Sequence, residues 1–498
     1  MKKFTTFLSL VVCFTIYSQE VLWQKTVGGS HADYLFDMVP TVDYGFLLAG
    51  SSVSDKSGLK KEENKGDLDY FLWKMNREGN PEWQLSFGGD GQDVLQSIVQ
   101  TSDVGYLLGG YSNSGISADK SSENFGKNDL WLVKINAKGQ LVWEQSYGGL
   151  GNEQLIKIIE TQDKGFLILA TSNSDKHAFK SQDNFGGLDF WLLKINAFGQ
   201  LVWEKSFGKN YNDIPQAVVE LQDSFVILGN SFTKSINPSG SNDIVILKLD
   251  KQGNLLQQKT IGTLENDFSN DLFWDKNTEN YTLTGTSLES GIQEIVFWQL
   301  DKNFQIIHKT AHSFSGDVQL SSTVKTKDNQ YLLAGILQDI RTNKQQYFSL
   351  LLDGNGNKIW DKIITTDGDD LLRKAVFTRD QGIVLAGNST GKNPQYKKQS
   401  IGKEDFWILK LKDNGKEFIQ QTPLEAIPNP TAEFSQIVIH QSYKQGELSI
   451  YDMSGKLYHS EKIKHGIIPV DFSSFPQGVY IVFVKTDSFE NSIKVIRE

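Results

Sequence analysis

The chain has 498 residues and a formal net charge of -10, too long for one ordinary domain and without the basic balance expected of a nucleic-acid binder. Phe, Tyr and Trp make up 11% of it and there are 44 glycines, a composition that suits strands joined by tight turns. Cys13 is the only cysteine, so once that residue is cleaved away no disulfide, thiolate metal site or cysteine nucleophile is available.

Residues 1–18 read as a secretory signal peptide. Lys2 and Lys3 precede an apolar run from Phe7 to Ile16, and cleavage is expected after Ser18. The run is too short to span a bilayer comfortably and no second one follows, so no transmembrane segment is expected. Bulky Val12 argues against lipidation at Cys13.

From residue 19 the chain repeats. Trp23, Trp83, Trp143 and Trp203 stand 60 residues apart, and Gln257, Ile307, Trp360 and Ile419 continue the series at intervals of 54, 50, 53 and 59. Each tryptophan strand is usually followed by glycine. Ten residues on stands an acid: Asp33, Asp93, Glu153, Asp213, Asp267, Asp317 and Asp370. A second apolar stretch then ends in a turn such as Thr41-Val42-Asp43-Tyr44-Gly45. A third stretch, such as Phe166-Leu167-Ile168-Leu169, is short and strongly apolar. The fourth opens at Asp69, Asp129, Asp189, Asp243 or Asp405 and carries Lys74, Lys134, Lys194, Lys248 or Lys410. Four short strands per unit predict a four-stranded antiparallel blade, and seven units predict an all-β, seven-bladed β-propeller over residues 19–421. A β-solenoid would need shorter rungs, and two smaller propellers would need a linker in the middle. Eight tryptophan-type strands serve seven units, so either residues 21–26 or residues 417–421 complete the closing blade. The recurring acids and tryptophans read as structural, since a catalytic group is normally present once.

Variation is concentrated between the third and fourth stretches: residues 51–68, 112–128, 172–188 and 389–404 are long, and their counterparts in units four to six are short. Long loops on a rigid scaffold are the expected place for recognition. Candidate ligand contacts are Asp55, Tyr111, Asn113, Phe125, Asn173, Asp175 and Phe185. No cofactor is expected. The oxygen-rich loops would suit Ca²⁺, which takes ~6 to 8 oxygen ligands, or equally Ser/Asn turns closed on their own backbone. No stretch has the spacing of a calcium hand. The histidines are scattered, and no nucleophile elbow, phosphate loop or zinc-helix motif occurs.

After residue 421 the period stops. Residues 422–426 read as a linker, and residues 427–498 carry six further strands predicted to form a small Ig-like β-sandwich. Ile427-Pro428-Asn429-Pro430 opens this tail. Leu448 to Gly455 is a strand running into Asp452-x-x-Gly455, and Asp471, Gly478 and Tyr480 follow in order. These motifs resemble the type A carboxy-terminal sorting domain of the type IX secretion system of Bacteroidota, with Ile427 where that family has Tyr. The resemblance implies delivery to the outer-membrane translocon and its cargo-handling proteins through residues 427–498, with Pro428, Asn429, Pro430, Asp452, Gly455, Asp471, Gly478 and Tyr480 as the sorting motif. It also implies a cell-surface or extracellular destination, and removal of the tail afterwards. The repeats are similar to those of large secreted Bacteroidota proteins of unassigned activity.

The sequence therefore predicts a secreted, non-enzymatic binding protein whose rim loops contact a surface protein or glycan, and not nucleic acid. Two alternatives remain. A polysaccharide hydrolase would need two carboxylates ~5 to 9.5 Å apart in one pocket. A structural part of the surface motility or secretion apparatus would need stoichiometric envelope partners.

Overall fold

The computed structural model describes residues 19–233, 241–289, 291–412, 422–441 and 443–498; the expected signal peptide, with Cys13, lies outside them. The described residues contain strands and no α-helix, and no helix is long and apolar enough to cross a membrane.

Seven four-stranded antiparallel sheets form the ring. Blade 1 comprises Asp33–Pro40, Phe46–Ser52, Asp69–Met75 and Pro81–Phe87, in that order from the inside out. Blades 2 to 6 repeat this order along the chain. Blade 7 uses Asp370–Phe377, Gly382–Ser389 and Asp405–Lys412, and Val21–Val27 pairs with Asp405–Lys412 as its outer strand. The inner strands touch their neighbours in a closed cycle, blade 7 meeting blade 1. The fold is a seven-bladed β-propeller, and the amino-terminal strand closes it. The alternative closing segment, residues 417–421, lies outside the described residues. Each tryptophan strand is thus the outer strand of one blade, while the rest of its unit builds the next.

The apolar runs follow from this stacking. Every residue of Asp69–Met75, Asp129–Ile135 and Asp189–Ile195 is buried, because each sheet face packs on a neighbouring blade. Alternation would require one solvated face. Trp131, Trp191 and Trp407 are wholly buried. Tyr70 and Tyr347 each donate a hydrogen bond across a blade boundary, to the Trp131 and Trp407 carbonyls. Burying such side chains contributes ~1.5 to 3 kcal/mol apiece. The outer tryptophans lock adjacent blades. Trp23, Trp143 and Trp203 donate to carbonyls of Arg77, Ala197 and Lys251 at 3.0–3.1 Å, each in a turn of the following blade.

All seven inner strands carry a bulge at the same place, between Leu35 and Asp37 in blade 1 and between Leu372 and Lys374 in blade 7. Opposite it, Gly50, Gly110, Gly285, Gly335 and Gly387 each face the inner strand's carbonyl so closely that a Cβ would collide with it. Glycine here allows close backbone approach.

The tail is a two-sheet sandwich. Leu424–Ile427, Phe434–Ile439 and Ile467–Asp471 form one sheet. Leu457–Ile463, Gly446–Asp452, Gly478–Thr486 and Glu490–Arg497 form the other. The segment expected as a linker is therefore partly a strand. Leu424 and Ala426 alternate into the tail core, and Leu424–Ile427 pairs with Phe434–Ile439. Alternation over so short a segment is weak evidence in sequence, because the partner strand supplies most of the order.

Candidate functional site

Antiparallel blades divide their connections between two ends of the ring. The Thr-x-Asp-x-Gly turns and the third-to-outer hairpins lie at one end. The long connections and the blade-to-blade crossings lie at the other.

At the short-turn end, each turn holds a lysine. Thr41 and Gly45 both donate to Asp43, and Lys74 Nζ pairs with Asp43 at 2.7 Å. Lys134–Asp103, Lys194–Asp163 and Lys410–Asp380 repeat this pair. The tail sits on this end, over blades 7, 1 and 2. Tyr44 donates to Glu425 at 3.0 Å, and Arg379 pairs with Glu425 at 3.0 Å. The Arg379 guanidinium lies 4.5 Å from the Tyr44 ring centroid, and His440 meets Tyr44 edge-on at 5.2 Å. Buried Gln436 donates to the Val104 carbonyl. Tyr44 and Val104 have left-handed backbones, φ 66 and 61, uncommon for aromatic and β-branched residues.

At the opposite end, the long connections of blades 1 to 3 are held from inside. The acids ten residues after the tryptophan position are buried caps. Asp33, Asp93, Glu153, Asp213, Asp267 and Asp370 each accept from the backbone N–H four residues earlier, at 2.5–2.9 Å. Asp69, Asp129 and Asp189 do the same at the start of the third strand. Burial pushes these last three carboxyls up to about 6. Sequence reasoning missed the buried lysines Lys60, Lys120, Lys180 and Lys397. Lys60 donates to the Ser54 carbonyl, Lys120 to that of Ser122, Lys180 to Ser206 Oγ and Lys397 to the Ser389 carbonyl. Their ammoniums lie within electrostatic reach of the buried acids. Several loop oxygens are thus engaged within the chain: Asn113 and Asn173 Oδ1 accept backbone N–H bonds, and the Ser54 and Ser122 carbonyls accept from Lys60 and Lys120. The signal was visible as Lys60, Lys120 and Lys180 at the 60-residue period.

The loop candidates divide. Asp55, Asn113, Asn173, Asp175 and Phe185 are exposed on this rim. Asn113 Oδ1 accepts from Gln92 N–H, and Asn173 Oδ1 from Asn152 N–H. Asp175 accepts from Asn184 N–H at 3.2 Å. Tyr111 and Phe125 do not stand free. Tyr111 is half-buried within Tyr106–Ser112, and Phe125 packs edge-on against Phe179 of the next loop at 5.3 Å.

Where the connections are short, over blades 4 to 6, the same end opens into a cavity of about 660 Å³. Its wall includes Gln216, Asn230, Asn270, Gln319 and Gln345, with Phe268 and Asp317. Asn230 Oδ1 accepts from Ser269 N–H and Oγ, and Asn270 Oδ1 accepts from Thr323. Asp317 is the exception among the seven acids. Among the described residues it makes no backbone cap, and it is exposed on the cavity wall. Its blade opens at Gly316, two residues after Phe314, which leaves no crossing loop to cap.

The central channel is charged. Lys157 of blade 3 reaches Asp271 of blade 5 at 3.2 Å, across the axis. Lys374 pairs with Asp37 at 2.9 Å. Burial works against the Lys374 charge, but Asp37 and Asp271 outweigh it and hold the ammonium above its ordinary range. Each of these two channel acids is thus engaged by a lysine.

In the tail, the expected sorting residues build the fold. Asn429 donates to the Lys494 carbonyl and accepts from Ile496 N–H. Pro428 offers its carbonyl to Ser435, and Pro430 lies in a recess between tail and ring. Asp452 closes a turn on Ser454 and Lys456, where Gly455 has φ 85. Asp471 accepts from Ser473 N–H. Tyr480, which follows Gly478 closely, packs on Phe472 and Phe475 and donates to the Pro476 carbonyl.

Residues 425–498 match the family model described as a secretion system C-terminal sorting domain. This agrees with the type IX resemblance and indicates export to the cell surface or extracellular space. Over 93 residues the chain is 28% identical to the cysteine–tRNA ligase of Actinobacillus pleuropneumoniae serotype 5b (strain L20), a match covering 16% of this chain and 20% of that protein. The chain thus spans about a fifth of the length of the curated relatives it matches. Similar solved structures include Drosophila Semaphorin 1b extracellular domains 1–2, at 7% identity over 79% of this chain and 87% of that one, TM-score 0.42. The polysaccharide lyase Uly1 is 9% identical over 76% and 89%, TM-score 0.43. The Pseudomonas aeruginosa periplasmic gluconolactonase PpgL is 9% identical over 74% and 98%, TM-score 0.37. Likenesses this distant carry no functional argument.

Proposed function

We propose that this chain is exported through a type IX system and acts at the cell surface, or beyond it, as a non-enzymatic recognition protein. The long-connection end of the ring is its binding face, and a surface protein or glycan its partner. One observation carries the reading: the tail seats on the short-turn end, through Tyr44, Val104 and Arg379. The loops and the cavity at the other end therefore stay open whether or not the tail is present. Residues 1–18 serve as signal peptide, residues 19–421 as the working ring, and the tail as the address read by the translocon. The channel lysines favour binding over hydrolysis, because they neutralise the carboxylates that an acid–base pair would need free.

Affinity capture from the native cell surface tests the face. The probe is the full chain, with and without Ile116→Asp and Phe185→Asp, changes at the exposed apolar residues of the second and third loops. The doubly substituted chain should melt as the wild type does and lose the captured partner. Equal capture by both proteins would contradict the assignment.

A further inference from the structure

The cavity over blades 4 to 6 opens where the connections between second and third strands are short, and its wall is dominated by one chemistry. Carboxamides line the space over these blades: Gln216, Asn230, Asn270, Gln319 and Gln345. Asn230 and Asn270 spend their carbonyl oxygens on neighbouring groups. Among the described residues, the side chains of Gln216, Gln319 and Gln345 make no hydrogen bond and remain available. A carboxamide offers two donors and an acceptor that takes two more bonds. It therefore matches vicinal hydroxyls, which both give and accept. Phe268 is 43% exposed and supplies an apolar face. Among the described residues, Asp317 is the only ionisable side chain lining the wall. No described lining residue is a cation, so an anionic ligand would meet the Asp317 carboxylate as like charge. The cavity volume lies within the ~300 to 1,000 Å³ of small-ligand sites.

We infer that this cavity binds an uncharged carbohydrate, its hydroxyls held by the carboxamides of Gln216, Gln319 and Gln345 and its apolar face set against Phe268. The inference rests on the reading of the long-connection end as the recognition face, and narrows it to one pocket and one ligand class. Sulfated glycans, uronates and phosphorylated ligands are disfavoured by Asp317.

Calorimetric titration of the full chain tests it. One panel holds neutral gluco-, manno-, galacto-, xylo- and N-acetylglucosamine oligosaccharides; the other holds oligogalacturonate, alginate and heparin fragments. At least one neutral oligosaccharide should bind and no acidic one should. Phe268→Ala and Gln319→Ala, both at exposed positions, should each weaken binding about tenfold, a loss of ~1.4 kcal/mol, without lowering the melting temperature. Silence of the whole neutral panel at about millimolar concentration, where binding would be worth only ~4 kcal/mol, overturns the inference, as does preference for an acidic fragment. Neutral binding that both substitutions leave unchanged also overturns it. Oligosaccharide binding unaffected by Ile116→Asp and Phe185→Asp, with surface capture also unaffected, leaves the pocket standing and refutes the loop rim alone. Capture lost on those changes with no oligosaccharide bound does the reverse.

Discussion

Asp69, Asp129 and Asp189 occupy the same place in the first three blades, and each faces another acid across a blade boundary: Asp93, Glu153 and Asp213. Each accepts one backbone bond through Oδ2 and has no partner at Oδ1. Burial raises all three to about 6, against ~3.9 for an unfolded aspartate. Between those values the folded chain keeps protons that the unfolded chain has released. Stability contributed by these groups therefore falls as pH rises through the window. Melting should accordingly be higher near pH 5 than near pH 7, and the triple Asp→Asn variant should flatten that slope. A melt that rises from pH 5 to pH 7, or a slope the variant keeps, contradicts this account. The acids were legible as a recurring column of structural residues, but not which backbone N–H each one caps. The buried lysines were not recognised, because Lys60, Lys120 and Lys180 sit among exposed polar loop residues, and only tertiary packing shows which side chain turns inward.

The elements were easier to read than the way they join. The 60-residue period and the runs of apolar residues predict four strands per unit. Sequence could not decide which end closes the ring, because Val21–Val27 pairs with a strand nearly 400 residues away and either terminal copy carries the same pattern. Deleting residues 19–27 should leave Asp405–Lys412 as an open edge, lower the melting temperature and produce aggregates by light scattering. An unaffected, monodisperse protein would show that the closure contributes nothing. The turn pairs give a second test. Lys410 and Asp380 are almost wholly buried, 2.6 Å apart. Lys410→Met should cost ~3 to 5 kcal/mol by stranding the carboxylate, and Asp380→Leu added to it should recover much of that loss in a denaturant titration. The cavity was not legible for the opposite reason from the loops. Attention goes to long insertions, whereas this site arises where hairpins shorten and lets residues from three blades meet.

On the scale of the whole molecule, the two ends of the ring differ in what lies against them: the tail seats on the short-turn end. The tail docks against left-handed Tyr44 and Val104, while the equivalent positions Lys164 and Gln381 in blades 3 and 7 carry flexible polar chains at the same backbone conformation. Arg379→Ala should remove the clamp on Glu425 and Tyr44 and speed protease cleavage between ring and tail, leaving oligosaccharide binding unchanged. The tail motifs were legible in sequence as an address, but the face on which it sits depends on single contacts between distant segments.

The most direct measurement of this division of faces is calorimetric titration of a neutral oligosaccharide into three full-length proteins: wild type, Phe268→Ala and Arg379→Ala. Binding that falls about tenfold in Phe268→Ala and persists in Arg379→Ala is the predicted result. Binding that persists in Phe268→Ala and is lost in Arg379→Ala would place recognition on the face that the tail covers, and contradict the account.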